Sequence, residues 1–317
     1  MTPQFVDFDF DGIKDIVVGT FEGTAFWLQG TKNGFKKQEY IKDSQDRNVQ
    51  LSNFWNREEK KWDEADRSPE GVENPKGHST SVVAVDWDGD KDLDLLLGAY
   101  YSGTVYVQLN EGTAQKPSYA GVNHRVKAGG EDISIPGGLC SMRSVDFDGD
   151  GHSDLICGSK KGGVYLYRNE GKSGPTQLAA PQVLIQPSGD KKATEASRPN
   201  SGLHIDIVDF DEDGDLDLLV GGYSEWTVEQ PELTEEQQEA VVKAGKEASD
   251  VRQQLSKMFA DVRSDPKTAK EKFKALSESP EYQKLMEKYQ ASSAKLRDLK
   301  PNQSQRKALV WLYRQNS

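Results

Sequence analysis

The sequence has little cysteine, little histidine and no long apolar run. It holds two cysteines and four histidines in 317 residues, which excludes a disulfide-rich scaffold, and no histidine pair has the spacing of a zinc site. No apolar run approaches the roughly 18 residues that a membrane span needs. Acidic residues outnumber basic residues, with 52 Asp and Glu against 40 Lys and Arg. A nucleic-acid partner, which needs a basic surface, is therefore not expected.

What the chain has instead is aromatic residues, glycine and clustered aspartate. The 11 Phe, 11 Tyr and 6 Trp are too many for a disordered chain, and the length allows one large domain or two small ones. Nineteen of the 52 acidic residues lie in four short segments, each with Asp at positions 1, 3, 5 and 9. The residues at these positions are Asp7, Asp9, Asp11 and Asp15; Asp86, Asp88, Asp90 and Asp94; Asp146, Asp148, Asp150 and Asp154; and Asp209, Asp211, Asp213 and Asp217.

The four Asp loops predict cation binding. Alternate carboxylates in a bending loop converge on one point, and glycine at position 6 of three loops allows the bend. Ligands that are all oxygen favour Ca²⁺ over zinc or copper, with Mg²⁺ less expected. Any one loop can also be read as an Asp-rich hairpin turn without metal. Four copies in matching context favour up to four bound Ca²⁺ ions.

The loops also mark an internal repeat, because they begin at residues 7, 86, 146 and 209. An apolar segment ending in glycine follows each loop, and a second apolar and aromatic segment follows that one, as in Leu155–Gly158 and Gly163–Asn169. Four antiparallel strands in about 60 residues are typical of a propeller blade. The predicted fold is therefore all-β, a β-propeller of four-stranded antiparallel blades. Four recognisable blades form a small ring, an open crescent, or a ring closed by another copy.

The last blade is interrupted by an insertion. Val310–Arg314 nearly repeats Val164–Arg168, so its strand comes roughly 80 residues later than in the other blades. Apolar residues spaced alternately three and four apart predict two long helices, paired as an antiparallel, coiled-coil-like hairpin. We predict blades in residues 1–222, a helical hairpin insertion in 223–306, and a strand completing the last blade in 307–317. The insertion is either a spacer packed on itself or an arm that contacts a protein partner.

Local signals mark helix starts within this insertion. Thr234 and Gln237 have the spacing of a capping box. Asp265-Pro266 and Ser279-Pro280 each place proline directly after a capping residue. A second, shorter insertion at Asp43–Gly77 carries Trp55 and Trp62. Its aromatic side chains either bind a glycan or peptide or pack against the blades.

Together the motifs resemble the FG-GAP/VCBS repeat class, whose calcium-loop propeller blades also occur in integrin alpha subunits. Val85-Asp-Trp-Asp-Gly-Asp90 with Asp94-Leu-Leu-Leu-Gly98 resembles in particular secreted bacterial VCBS-repeat proteins of unassigned function. The resemblance implies a calcium-binding propeller outside the cytoplasm, secreted or periplasmic. It also implies that the backbone carbonyls at position 7 are ligands, namely those of Ile13, Asp92, His152 and Asp215.

The chain departs from the repeat pattern in two places. Lys91 stands where the other loops have glycine at position 6. The chain begins close to the first loop and ends after the third strand of the last blade. We therefore expect the natural protein to begin earlier, with a signal peptide and at least one more blade.

These features favour a calcium-binding propeller that acts as a binding, adhesion or scaffold module, with a protein or glycan ligand. The alternative is a carbohydrate-active enzyme, of polysaccharide lyase or hydrolase type, that uses one face of the propeller. A third hypothesis is an intracellular hub assembled by the helical arm. No catalytic residue is predicted, because carboxylates that a cation holds ionised are poor general acids. Cys140 and Cys157 are expected to be buried thiols rather than a disulfide.

Overall fold

A computed structural model describes residues 2–56, 59–73, 79–171, 175–188, 195–228, 233–263, 269–299 and 304–315. The chain divides into two compact units. The first contains Met1–Lys191, Glu195–Glu225 and Arg306–Ser317, and the second contains Lys192–Thr194 and Trp226–Gln305. The sheets lie in the first unit and the helices in the second.

The first sheet is antiparallel and has four strands in the order β1-β2-β3-β6. A short hairpin of two further strands, β4 and β5, leads from β3 to β6. The strands are β1 (Thr2–Val6), β2 (Asp15–Gly19), β3 (Ala25–Leu28), β4 (Gly30–Thr31), β5 (Gly34–Phe35) and β6 (Glu39–Tyr40). The insertion that follows contributes a hairpin, β7 (Asn53–Asn56) with β8 (Lys61–Glu64), in which Trp55 and Trp62 pack edge to face at 5.6 Å.

The second and third sheets repeat this four-stranded antiparallel arrangement. The second consists of β9 (Ser79–Val85), β10 (Asp94–Ala99), β11 (Val105–Gln108) and β12 (His124–Arg125). A short hairpin of β13 (Lys127–Ala128) and β14 (Glu131–Asp132) follows it. The third consists of β15 (Leu139–Val145), β16 (Asp154–Ser159), β17 (Val164–Tyr167) and β18 (Gln182–Ile185). Four-stranded antiparallel sheets are therefore confirmed for three of the four repeats.

The fourth sheet has three strands among the described residues, in the order β19-β20-β21. They are β19 (Ser201–Val208), β20 (Asp217–Thr227) and β21 (Ser304–Tyr313). β20 and β21 are neighbours in the sheet although the helices lie between them in sequence. β21 contains Val310–Tyr313, the segment that resembles β17.

In the second strand of a sheet, consecutive side chains lie in different hydrophobic cores, because they lie on opposite faces of the sheet. The sheets are therefore stacked face to face. In β10, Leu95 and Leu97 pack with the first sheet, whereas Leu96 packs with the third. In β16, Leu155 packs with the second sheet and Ile156 with the fourth. A strand buried on both faces is an almost continuous apolar run, as seen here. The described residues form stacked sheets and no closed barrel, so the propeller ring remains a prediction.

Glycine near the end of the second strand allows tight stacking on the second and third sheets. A Cβ added to Gly98 would lie 2.1 Å from Leu139 Cδ2, and one added to Gly158 would lie 2.5 Å from the carbonyl oxygen of Leu203. Both contacts are with the following sheet. These positions therefore exclude any side chain, because neighbouring sheets pack directly on the glycine backbone.

The second unit contains three helices among the described residues. They are α1 (Glu235–Arg263), α2 (Ala269–Glu278) and α3 (Pro280–Leu299). Val251, Leu255 and Leu285 form the centre of its core. The two long helices that were predicted are α1 and α3, whereas the shorter α2, which lies between them in sequence, was not predicted. The Ser279 hydroxyl caps the N–H of Tyr282 at 3.2 Å, at the start of α3.

The capping box at the start of α1 is confirmed. The Gln237 N–H donates to Thr234 Oγ1 at 3.3 Å, and the Thr234 N–H donates to Gln237 Oε1 at 2.9 Å. The Asp265-Pro266 signal lies outside the described residues. In the first unit, Cys140 and Cys157 are buried free thiols as expected, and Cys157 lies opposite Met142 rather than Cys140. None of the described helices is long and apolar enough to cross a membrane.

Candidate metal centre

Each Asp loop joins the first two strands of a sheet, so strand pairing fixes where the loop begins and ends. Val6 pairs with Asp15, and Val85 pairs with Asp94, directly across the mouth of the loop. Position 6 takes the left-handed conformation in all four loops. The φ values are +88° for Gly12, +74° for Lys91, +90° for Gly151 and +96° for Gly214. The second loop therefore has the same turn although a lysine occupies the glycine position.

The Asp at position 9 fastens each loop to its sheet. This residue is at most 1% exposed in all four loops. One of its oxygens accepts the N–H of position 2, at 2.8 Å from Phe8, 2.9 Å from Trp87, 3.2 Å from Phe147 and 3.1 Å from Phe210. The other accepts the N–H that follows the third strand, at 2.6 Å from Gly30, 2.7 Å from Asn110, 2.7 Å from Asn169 and 3.1 Å from Gln315. Position 9 is thus a structural anchor in addition to a candidate ligand.

The Asp residues at positions 1 and 5 shape the loop from inside. Position 1 accepts the N–H of position 6, for example Asp146 from Gly151 at 2.9 Å and Asp86 from Lys91 at 3.2 Å. Position 5 accepts the N–H of position 7 at 2.8 to 3.0 Å in every loop. Since these bonds repeat in all four loops, the four turns have one architecture.

The loops bring three carboxylates together at each of four places. One oxygen from each residue lies within 4.8 Å of the others, and the groups are Asp7, Asp9 and Asp15; Asp86, Asp88 and Asp94; Asp146, Asp148 and Asp150; and Asp209, Asp211 and Asp213. Oxygens that share one Ca²⁺ at about 2.4 Å lie no more than about 4.8 Å apart. The clusters can therefore hold such an ion. Four predicted side-chain ligands lie outside these groups, namely Asp11, Asp90, Asp154 and Asp217, and the position-7 carbonyls of Ile13, Asp92, His152 and Asp215 stay predictions.

Three carboxylate oxygens of the loops are buried without a hydrogen-bond partner. Asp7 Oδ1 and Asp146 Oδ1 hold the same position in two loops, and each is buried without a hydrogen bond. Asp92 Oδ1 is in the same state. A buried carboxylate oxygen without a donor is costly, and a cation would satisfy it.

Crowding raises the pKa of several of these carboxyl groups. Burial, followed by the charges of Asp90 and Asp88, raises the pKa of Asp92 to about 6. Burial also raises the pKa of Asp94 to about 6, partly offset by the hydrogen bonds it accepts. The pKa of Asp9 is raised by burial and by the charge of Asp15. Without a cation, therefore, ionised carboxylates are disfavoured here.

The third and fourth loops lie within a recognised repeat. An FG-GAP-like repeat is found at residues 146–220. No curated protein matches the chain. A structure of the Photorhabdus luminescens Tc holotoxin pore matches with 17% identity and a TM-score of 0.29, covering 69% of this chain and 11% of that chain. A TM-score this low carries no argument about the fold.

The sequence analysis did not predict a tether on position 3, that is, a side chain near the end of the third strand that binds the carboxylate of the Asp at position 3. The FG-GAP-like repeat contains one example. Within the repeat, the guanidinium of Arg168 pairs with Asp148. In the first loop Gln29 donates to Asp9 Oδ2 at 2.6 Å, and in the fourth loop Arg314 pairs with Asp211 at 3.1 Å. Each tether lies three residues after an aromatic of the third strand, which is the signal that could have found it. In the second loop this position is Leu109.

A cavity of about 560 Å³ is lined by residues that include Tyr100, Cys140, His204, Gly221 and Val310. None of the described residues that line it is a carboxylate.

Proposed function

We propose that the chain is a calcium-binding β-propeller module of the FG-GAP/VCBS type that acts outside the cytoplasm in binding, adhesion or scaffolding. The observation that supports this most is the fourfold repetition of one loop. Four three-carboxylate clusters share the same anchor, the same turn and the same inward hydrogen bonds. A bend needed only for connection does not require three carboxylates within 4.8 Å of one another.

The location is proposed from the chemistry of the sites. Carboxylate loops on strands, without the bidentate Glu of an EF-hand, suit calcium at roughly 10⁻⁴ to 10⁻³ M, the range of extracellular modules. Bound Ca²⁺ would remove the repulsion between the carboxylates of each loop and would link the two strands that the loop joins. In this proposal calcium stiffens the sheets, and a protein or glycan binds to a surface that the sheets hold in place.

Calcium binding is tested directly by isothermal titration and by thermal unfolding of metal-stripped protein. Added Ca²⁺ should raise the melting temperature by several degrees, because the folded state alone presents assembled clusters. Asp88→Asn should weaken binding at one of the four sites without changing the others. The matched control is Asp250→Asn, an exposed residue of α1 outside every cluster, which should leave binding unchanged. Absence of any calcium-dependent heat or melting shift would contradict the proposal.

The binding role needs a separate screen. We expect a protein or glycan ligand whose affinity falls when calcium is removed, and whose binding the Asp88→Asn substitution weakens only modestly. Turnover of a polysaccharide by the calcium-loaded chain would favour the enzyme alternative instead.

A further inference from the structure

Within the described residues, the first and fourth sheets each leave part of one face open, although the equivalent parts of the other sheets are buried. The strand register defines the equivalence: Val6, Val85, Val145 and Val208 each pair with the position-9 Asp of their loop. We name the face toward the preceding sheet the front and the face toward the following sheet the back. The open faces are then the front of the first sheet and the back of the fourth.

The back of the fourth sheet carries apolar residues that are buried elsewhere in the repeat. Val310 in β21 is 74% exposed, whereas its equivalents Val105 and Val164 are 0% exposed. Leu219 in β20 is half-buried, whereas its equivalents Leu96 and Ile156 are fully buried. The sequence of the last sheet therefore provides for a following sheet that the described chain does not place there.

Gly221 also indicates that a further sheet can pack on the back of the fourth sheet. Its equivalents, Gly98 and Gly158, are needed because the following sheet packs directly against them. A Cβ added to Gly221 would meet nothing closer than the His204 carbonyl oxygen at 3.8 Å and Val310 Cγ2 at 4.0 Å. The glycine is thus retained where nothing within the described chain presses on it.

The front of the first sheet is the complementary surface. Phe5 in β1 is 63% exposed, whereas its equivalent in the second sheet, Ala84, is 3% exposed. Ile16 and Val18 in β2 are half-buried. In every other sheet the residues at these two positions lie in the core shared with the preceding sheet, as Leu95 and Leu97 do.

Two residues that differ from the repeat pattern, one on each open face, indicate which sheet fits the back of the fourth sheet. Between sheets, a serine hydroxyl accepts a backbone N–H of the following sheet: Met142 donates to Ser81 at 3.1 Å, and Ile205 donates to Ser141 at 2.9 Å. On the fourth sheet the serine position is His204. On the first sheet the donor position is Pro3, which has no N–H. The serine hydroxyl is therefore replaced by a larger imidazole on the surface whose complement has no N–H to donate to it.

We propose that the back of the fourth sheet binds the front of the first sheet of a second copy of this chain, head to tail. Phe5, Ile16 and Val18 of one copy would then cover Val310, Leu219 and Gly221 of the other. Two such interfaces between two copies would close a cyclic dimer. The interface consists of apolar packing and does not depend on calcium, so its failure and that of the calcium proposal are distinguishable.

The test is sedimentation velocity on the full chain from about 1 to 100 µM. Wild type should form dimers in this range. Phe5→Glu and Val310→Glu should each weaken association at least about tenfold, because each buries a charge in an apolar contact. Both residues are exposed in the single chain, so the circular dichroism spectrum should stay unchanged, as should the melting temperature at a concentration where wild type is monomeric. Val242→Glu, at a 71% exposed residue of α1, is the matched control and should still dimerise.

Mixing distinguishes the head-to-tail arrangement from the alternatives. Phe5→Glu protein retains an intact back, and Val310→Glu protein retains an intact front, so an equimolar mixture should form a mixed dimer through one interface. A symmetric front-to-front or back-to-back contact would be lost in one variant only and would not be restored by mixing. The proposal would be overturned if wild type stayed monomeric or if only one of the two substitutions weakened association. It would also be overturned if the mixture formed no mixed dimer or if Val242→Glu lost association.

Discussion

The carboxylate of Asp15 accepts the backbone N–H of Gly30 at 2.6 Å, joining the end of the first Asp loop to the first residue of β4, just beyond β3. Its other oxygen accepts the N–H groups of Phe8 at 2.8 Å and Asp9 at 3.3 Å. Asp15 is fully buried. One side chain therefore holds the start of the loop, the second strand and the end of the third in a fixed arrangement.

Asp15→Asn should destabilise the metal-free protein by about 1 to 3 kcal/mol, because the amide keeps one acceptor oxygen and leaves a buried N–H without a partner. Urea unfolding in the presence of a chelator measures this. Asp11→Asn is the matched control: Asp11 is exposed, and the amide oxygen can still accept the N–H of Ile13. Equal losses in the two variants would show that position 9 is not an anchor.

The sequence predicted most of this loop because its signals are local. Asp spacing, glycine at position 6 and alternating apolar residues predicted the turn and the flanking strands. The similarity of Val310–Arg314 to Val164–Arg168 placed β21 beside β20 across the helical segment. The tethers from Gln29 and Arg168 were not predicted, because they depend on the register between the loop and a third strand about twenty residues away. An open crescent was one of three predicted arrangements, but the sequence did not decide among them, because exposure depends on which sheets are neighbours.

Lys91→Gly should stabilise the protein. Lys91 has φ +74°, and the left-handed conformation costs a non-glycine residue about 1 to 2 kcal/mol. Glycine removes that cost but loses more chain entropy on folding, so a net gain of about 0.5 to 1 kcal/mol is expected. Chemical unfolding with and without calcium measures it.

The reverse change provides the control for Lys91. Gly12 has φ +88° and nothing within 4 Å of an added Cβ, so Gly12→Lys tests conformation without a steric clash. It should destabilise the protein by an amount similar to that which Lys91→Gly gains. A destabilising Lys91→Gly would mean that the lysine side chain makes a compensating contribution.

Metal-free protein should become more stable as the pH falls from 7 to 5. The pKa values of Asp92 and Asp94 are raised to about 6 in the folded state, against about 3.9 unfolded. Between these values the folded state binds more protons than the unfolded state, so stability decreases as pH rises. The total gain is of the order of 1 kcal/mol. Denaturant unfolding at several pH values measures it.

Two comparisons identify the carboxyl groups responsible for this pH dependence. Asp92→Asn removes one of the titrating groups and should flatten the profile. Saturating calcium should reverse its slope, because bound metal requires ionised carboxylates and is displaced by protons. A metal-free profile that falls steadily from pH 7 to 5 would contradict the assignment.

Arg168→Leu should increase calcium affinity at the third loop. The guanidinium of Arg168 pairs with Asp148, a member of the third cluster, so it competes with the cation for that carboxylate. Leu109 holds the equivalent position beside the second loop. An exposed ion pair contributes up to about 1 kcal/mol, so removing it should raise affinity by up to about fivefold while lowering metal-free stability slightly. Calcium titration calorimetry should show one site moving to tighter binding.

Arg168→Gln extends this into a graded series, because it copies the neutral tether that Gln29 makes to Asp9 at 2.6 Å. If the competing charge matters, affinity at the third loop should rise from arginine to glutamine to leucine. If the tether instead positions Asp148 for the ion, glutamine should bind at least as well as arginine and leucine should bind worst. The order of the three affinities therefore decides whether Arg168 opposes calcium or prepares its site.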